Sequence, residues 1–90
     1  MARAQMACRS GRWRLYVALP GRPEWPTYTF TGTAVPTLAE RSGALATLGF
    51  ALAGAAGWSW VEDAEQYGDP DSPVILFAAA DVVPVAGGAA

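Results

Sequence analysis

The sequence predicts one α+β domain in which a four-stranded antiparallel sheet is covered on one face by a single helix, in the order ββαββ. Two alternating, strand-like segments precede one segment with helical spacing, and two more strand-like segments follow it. Ninety residues suit one domain, and a 52% apolar composition with four Trp, three Tyr and three Phe can fill a core. We expect the domain to span residues 11–85, with flexible tails at 1–10 and 86–90.

The first two strands are predicted from alternation. Residues 12–19 place four apolar side chains on one face and four others on the opposite face: Trp13, Leu15, Val17 and Leu19 against Arg12, Arg14, Tyr16 and Ala18. Residues 27–32 alternate again, with Tyr28 and Phe30 opposite threonines. Prolines and a glycine separate the two segments, so a hairpin with a long loop that carries Trp25 is the simplest connection.

A helix is predicted to begin after Thr37, because Thr37 and Glu40 have the spacing of a capping box. Apolar side chains then recur at helical spacing through Leu45 and Leu48. Gly49 can adopt the left-handed conformation that ends a helix. The apolar stripe also extends beyond it, so a longer helix to about Ala56 stays an alternative.

The last two strands are predicted on either side of a turn. Trp58 and Trp60 alternate with Ser59 and Val61, which favours a third strand. A cluster of Gly, Asp, Ser and Pro at residues 68–73 predicts the turn, and residues 74–83 alternate as the fourth strand. The single helix covers one face of the predicted sheet, so the other face is expected to be open to a partner or a second copy of the chain.

Charge is unevenly distributed along a chain whose net charge is −2. Residues 1–22 contain five of the six Arg and no acid, whereas residues 62–71 contain five acids and no base, so the molecule should be dipolar.

Cys8 is the only cysteine, which excludes an intramolecular disulfide and predicts a cytoplasmic protein. No apolar run follows the basic N-terminal residues as in a signal peptide, and the uncharged stretch 43–61 is too weakly apolar to predict a membrane span.

Several classes of enzyme are excluded by the composition. The chain has no His and one Cys, so it lacks the residues of Ser-His-Asp and Cys-His sites and of the common zinc sites. The acidic segment lacks the Gly and Glu that a calcium-binding loop requires, and a solvated turn is the simpler interpretation. A hydrolase that uses Glu24 and Glu62 is a weak alternative, because nothing in the sequence places the two together. We therefore expect a non-enzymatic protein with no catalytic residues, cofactor or metal.

The residues expected to bind a partner are those that the predicted strands and loop leave available. The expected anchors are Tyr16, Ile75 and Phe77 on the open sheet face and Trp25 in the proline-rich loop. Arg12 and Arg14 should provide charge at the rim of this surface. These residues predict an accessory protein that contacts another protein, and a homodimer is one form that such contact could take. The alternative is single-stranded nucleic-acid binding through Arg12, Arg14 and Tyr16, although a sequence pI near 4.8 makes nucleic acid an unfavourable partner.

Six short motifs distributed over the predicted domain carry a resemblance to a known group of proteins. They are W-R-L-Y-V at 13–17, E-W-P-T at 24–27, P-T-L-A-E-R at 36–41, A-L-x-x-L-G-F at 44–50, W-x-W-x-E-D at 58–63 and S-P-V-x-L at 72–76. In these motifs the chain resembles a group of small uncharacterised proteins from Streptomyces and related actinomycetes. The group has no assigned activity, so the resemblance implies no catalytic or ligand-binding residue.

Overall fold

A computed structural model describes residues 2–54 and 57–85. Strands predominate in it, and the one helix is short. In chain order the elements are β1 (Ala2–Arg9), β2 (Arg12–Ala18), β3 (Thr27–Thr29), α1 (Leu38–Thr47), β4 (Phe50–Leu52), β5 (Ser59–Ala64) and β6 (Val74–Pro84).

All six strands join one antiparallel sheet in the order β3-β2-β1-β6-β4. The first half of β6 also pairs with β5, on the same edge at which its last residues pair with β4. The predicted four-stranded ββαββ sheet is therefore wrong. Two strands that the sequence pattern did not predict, β1 and β4, flank β6, and the larger sheet curls into a half-barrel.

The segment predicted as an N-terminal tail forms β1 and lies in the middle of the sheet, between β2 and β6. Its inward side chains include Ala4 and Met6, both fully buried. A two-residue turn with positive φ at Ser10 (53°) and Gly11 (74°) connects β1 to β2, as in the hairpin turns that match strand twist. Alanines hide the alternation of this strand, because they contribute little hydrophobic contrast. The predicted C-terminal tail, 86–90, lies outside the described residues.

The two predicted hairpins, β2–β3 and β5–β6, are confirmed. Strand β3 is shorter than expected, although the Phe30 N–H continues the ladder by donating to the Trp13 carbonyl at 2.9 Å. The predicted alternation of residues 74–83 places Ala78, Ala80 and Val82 on the core side of β6. Local alternation thus located these strands correctly.

Helix α1 begins with the predicted capping box. The Glu40 N–H donates to Thr37 Oγ1 at 3.1 Å, and the Thr37 N–H donates to Glu40 Oε1 at 2.9 Å. The helix ends at Thr47, and Gly49 takes the left-handed conformation with φ 89°. The longer helix is wrong, because Phe50 already belongs to β4, whose ladder with the end of β6 replaces further helical hydrogen bonds. In the described ranges no helix has both the length and the apolar character needed to cross a membrane.

The core lies between the inner face of the curled sheet and α1. It is formed mainly by large side chains of β1, β2, β6 and α1, of which the most deeply buried are Met6, Leu15, Val17, Leu45 and Val82. Trp13 of β2 meets Trp60 of β5 edge to face across the inner side, with ring centroids 6.0 Å apart. Because these strands are not neighbours in the sheet, this contact reflects its curl.

Arg41 of α1 is buried against two indole rings, one of which is Trp60. Its guanidinium lies over the rings of Trp58 and Trp60, 5.6 and 5.4 Å from their centroids, and its Nε donates to the Pro36 carbonyl at 2.8 Å. Burial lowers the pKa of Arg41, because loss of hydration disfavours the charged form. The two indole faces partly offset that cost.

Candidate partner-binding surface

The outer face of the sheet, which points away from the core and α1, is a candidate surface for a partner. Cross-strand pairing arranges its side chains in rows across five strands. One row contains Thr29, Arg14, Ala7, Phe77 and Val61, and the next contains Thr27, Tyr16, Gln5, Ala79 and Ser59. Each row contains a small side chain, Ala7 in the first and Ala79 in the second, with larger side chains beside it.

Tyr16 and Trp25, predicted separately as anchors, lie against each other. Their rings stack with centroids 5.8 Å apart and planes inclined by 16°. Trp25 Nε1 donates to the Leu19 carbonyl at 3.0 Å, which holds the loop after β2 against the sheet. The Tyr16 hydroxyl donates to Gln5 Oε1 on the neighbouring strand. Trp25 remains 45% exposed, so the stack offers one solvent-facing aromatic surface at an edge of the outer face.

A shallow cleft of about 460 Å³ lies beside this stack. Tyr16 and Trp25 form its aromatic side, and Arg22, Pro23 and Thr27 complete the lining. The cleft is open to solvent, and an aromatic wall next to a guanidinium suits a side chain that is part apolar and part anionic.

Arg12 and Arg14 are exposed on the same face of β2, as predicted. Their cross-strand partners are Arg9 and Ala7 on β1, so neither has an acid directly opposite. Arg3, by contrast, donates to Asp81 Oδ1 at 3.0 Å. Arg9, Arg12 and Arg14 together form what we call the basic half of the outer face.

The two anchors predicted on β6 differ in accessibility. Phe77 is half-buried in the centre of the outer face, between Ala7 and Val61. Ile75 belongs to the same face but is only 8% exposed. Ile75 therefore offers a partner little surface, whereas Val61, which is 60% exposed, extends the apolar contact beside Phe77.

The opposite side of the outer face is acidic. Asp63 of β5 lies on it, opposite Ile75, and the following turn carries Glu65, Asp69 and Asp71, all exposed. The Asp69 side chain accepts from the Asp71 N–H at 2.9 Å, so this carboxylate also shapes the turn. The charge separation predicted from the sequence thus becomes a separation across one surface.

The structure does not bring Glu24 and Glu62 together. Glu24 lies in the loop after β2, beyond the end at which Ala18 pairs with Arg3, whereas Glu62 pairs with Leu76 near the start of β6. Within residues 2–54 and 57–85, no group of three or more Cys, Asp and Glu side chains is arranged to hold a metal ion. Cys8 is half-buried beside a separate cleft of about 370 Å³ whose lining includes Trp13 and Leu76.

Sequence reasoning missed the contribution of β1 to this surface. Arg3, Gln5, Ala7 and Arg9 all lie on the outer face, and Gln5 orients Tyr16. The alternation of Ala2, Ala4, Met6 and Cys8 with these residues, followed by the turn-forming pair Ser10-Gly11, was the signal that could have revealed the strand.

Comparisons with known proteins add a family but no activity. No curated protein and no solved structure matches the chain significantly. A family model described as a family of unknown function, DUF6303, matches residues 1–90. That match agrees with the resemblance to uncharacterised proteins, while the actinomycete origin stays a prediction. The chain, with its curled sheet and two-signed outer face, therefore belongs to the DUF6303 family.

Proposed function

We propose that the protein is a non-enzymatic interaction module that acts in the cytoplasm by binding another protein through the outer face of its sheet. One observation carries the proposal: apart from the loop that carries Trp25, no described element packs over this face, and Tyr16, Trp25, Phe77 and Val61 all lie on it or at its edge. Aromatic side chains with few rotatable bonds are the residues that most often dominate binding energy at protein interfaces. The lone Cys8, which excludes an intramolecular disulfide, supports the cytoplasmic location.

The charges of the face define the partner that it would fit. The basic half, Arg9, Arg12 and Arg14, favours a partner with carboxylates at the matching rim. Apolar contact would come from Phe77 and Val61, beside small residues that permit close approach of a flat surface. Rim charges of this kind influence association rate and orientation more than affinity.

A second copy of the chain is one partner that meets this description. If two outer faces met across a twofold axis, the basic half of one copy would oppose the acidic side of the other, and the reverse contact would be identical. Sheets packed in this way lie about 10 Å apart, which small central residues such as Ala7 and Ala79 permit. Homodimer formation is therefore part of the proposal.

Site-specific photo-crosslinking in cells tests the proposal. p-Benzoylphenylalanine placed at position 77 should crosslink to a partner or to a second copy, whereas the same group at Ala46, exposed on α1, should not. Arg14→Gln should weaken the crosslink from position 77, while Ser42→Glu on α1, which changes the net charge equally, should leave it intact. Equal crosslinking from positions 77 and 46, or none from position 77, would contradict a binding role for the outer face.

Binding of single-stranded nucleic acid is the competing function, and one contact bears on it. Arg12 and Arg14 remain available for phosphates, but Trp25 already occupies a ring face of Tyr16 that a base would need. Titration of a labelled oligothymidine at several salt concentrations separates the two functions. Tight binding that weakens steeply with salt would favour nucleic acid instead. In that case the slope of the logarithm of the binding constant against the logarithm of the salt concentration should be shallower by about one in Arg14→Gln.

A further inference from the structure

Strand β5 forms an exposed edge of the sheet. Each of its six residues is exposed, and its ladder hydrogen bonds within the described part of the chain go to β6. A regular strand with one unpaired edge is a template on which another extended segment can pair. This edge is distinct from the outer face, since it presents backbone groups instead of side chains.

The register identifies which backbone groups are free. The Glu65 N–H donates to the Pro73 carbonyl at 2.9 Å, so this pair is hydrogen-bonded, and hydrogen-bonded pairs alternate along an antiparallel ladder. Residues 59, 61 and 63 therefore bond to β6, whereas the N–H and C=O groups of Trp60 and Glu62 point to the open edge. The Ala64 N–H also points outward, but it donates to Asp63 Oδ1 at 2.8 Å, which ends the available edge at Glu62.

Charge along the same segment selects what can pair there. Glu62 and Asp63 lie on opposite faces of β5, and Glu65 follows them, with no basic residue between positions 58 and 73. Pairing β5 with the β5 of a second copy would bring these carboxylates together, and like charges on paired strands are destabilising. A strand with basic side chains on both faces would place opposite charges beside Glu62 and Asp63 instead.

We propose that the free edge of β5 at Trp60 and Glu62 binds a basic, extended peptide segment of another protein by strand addition. Backbone hydrogen bonds to Trp60 and Glu62 would hold the segment, and Glu62 and Asp63 would select basic side chains on its two faces. Val61 is 60% exposed and Trp60 is 42% exposed. Their apolar surfaces would contact the apolar side chains that lie between the basic side chains of the peptide.

A synthetic octapeptide with the repeat Lys-Lys-Val-Val is a direct probe, because adjacent lysines point to opposite faces of an extended strand. Fluorescence anisotropy should show saturable binding to the full chain, and an octapeptide with the repeat Glu-Glu-Val-Val should not bind. Amide hydrogen exchange of the complex, followed by NMR, should show slower exchange at Trp60 and Glu62, the two amides that face the open edge. The amides of Val61 and Asp63 already bond to β6 and should change little.

Two variants at position 62 separate strand addition from simple charge attraction. Glu62→Val and Glu62→Pro remove the same charge, but only the proline removes the outward N–H, and proline is tolerated where that group faces solvent. We expect Glu62→Pro to bind the lysine peptide on the order of tenfold more weakly than Glu62→Val. A difference of that size corresponds to the loss of one backbone hydrogen bond between the chain and the peptide. The exchange measurement on the unaltered chain gives the same test without substitution.

Three results would overturn the proposal: no binding of the lysine peptide at millimolar concentration, binding without protection of Trp60 and Glu62, or protection that rises with protein concentration in the absence of peptide. The second would indicate charge attraction alone, and the third would indicate that a second copy occupies the edge. None of these results depends on crosslinking from position 77, so this proposal and the proposed function can fail separately.

Discussion

The ring of Tyr16 lies stacked on that of Trp25, with the two centroids 5.8 Å apart. This contact attaches the proline-rich loop after β2 to the outer face of the sheet. It also makes the two residues one unit, because Trp25 Nε1 is bonded to Leu19 and the Tyr16 hydroxyl to Gln5. A change at either residue should therefore affect both the loop and the candidate surface.

Replacing Trp25 by Ala should cost roughly 1–2 kcal/mol of unfolding free energy, since it removes an aromatic pair and one hydrogen bond at a half-exposed site. Urea denaturation followed by circular dichroism measures this loss. Trp25→Phe retains a ring for the stack but loses the hydrogen bond to the Leu19 carbonyl. Its unfolding free energy should lie between those of the parent chain and Trp25→Ala. Equal stability of all three proteins would show that the stack does not hold the loop.

Met6→Ala should lower the unfolding free energy by about 2–4 kcal/mol, because Met6 is fully buried in the central strand β1. Thermal and urea denaturation provide the comparison. Arg3→Ala, in the same strand but in an exposed ion pair with Asp81, should cost no more than about 0.5 kcal/mol. If the two substitutions had the same small effect, residues 2–9 would not belong to the folded sheet.

The capping box predicts that Thr37→Ala will cost about 1 kcal/mol, since the Glu40 N–H loses its acceptor at the start of α1. Thr37→Ser supplies the same hydroxyl and should retain most of that stability. Chemical denaturation of the three proteins checks this, and a serine variant as weak as the alanine variant would argue against the cap.

Arg41 should tolerate replacement by Met better than by Ala. Burial lowers the pKa of Arg41, because the charged guanidinium loses hydration when the chain folds. Arg41→Met removes that desolvation cost and still fills the space between α1 and the indoles. We expect Arg41→Met to lie within about 1 kcal/mol of the parent chain and Arg41→Ala to lose roughly 2 kcal/mol. The pKa of Arg41 is lower in the folded than in the unfolded state, so deprotonation of Arg41 would increase the unfolding free energy as the pH rises. That increase begins only in strongly alkaline solution. A stability change between pH 6 and 9 that vanished in Arg41→Met would contradict this.

The β1–β2 turn should respond to changes at its two positive-φ residues. Gly11→Ala should destabilise the protein by about 1 kcal/mol, because φ is 74° there although a Cβ would meet no neighbour. Gly32→Ala is the matched control, since it also meets no neighbour and lacks the positive φ. Ser10→Asn should raise the melting temperature, because Asn favours the left-handed conformation that Ser10 adopts. A melting temperature unchanged in all three variants would show that the turn carries no strain.

Part of the fold and of the candidate site could be predicted because the signals were strong and local. Large apolar side chains alternate in β2, residues 74–83 are nearly all apolar and rich in Val and Ile, and Thr37 and Glu40 lie three residues apart, so these elements appear where the sequence placed them. Five of the six predicted binding residues lie on or beside the outer face and are at least partly exposed. Strand alternation decides the side that Arg12, Arg14, Tyr16 and Phe77 take, whereas Trp25 lies in a loop. Ile75 is the exception, because it is only 8% exposed and alternation does not report the depth of burial.

By itself, the sequence determined the paired strands β2–β3 and β5–β6, the start of α1, and the separation of basic and acidic segments along the chain. Tertiary structure alone decided that residues 2–9 enter the sheet between β2 and β6, that residues 50–52 pair with the end of β6, and that Tyr16 meets Trp25. The reason is that periodicity reports the local fit of side chains to a helix or strand. Pairing between segments that are not joined by a hairpin depends instead on which edges remain unpaired once the hairpins have formed.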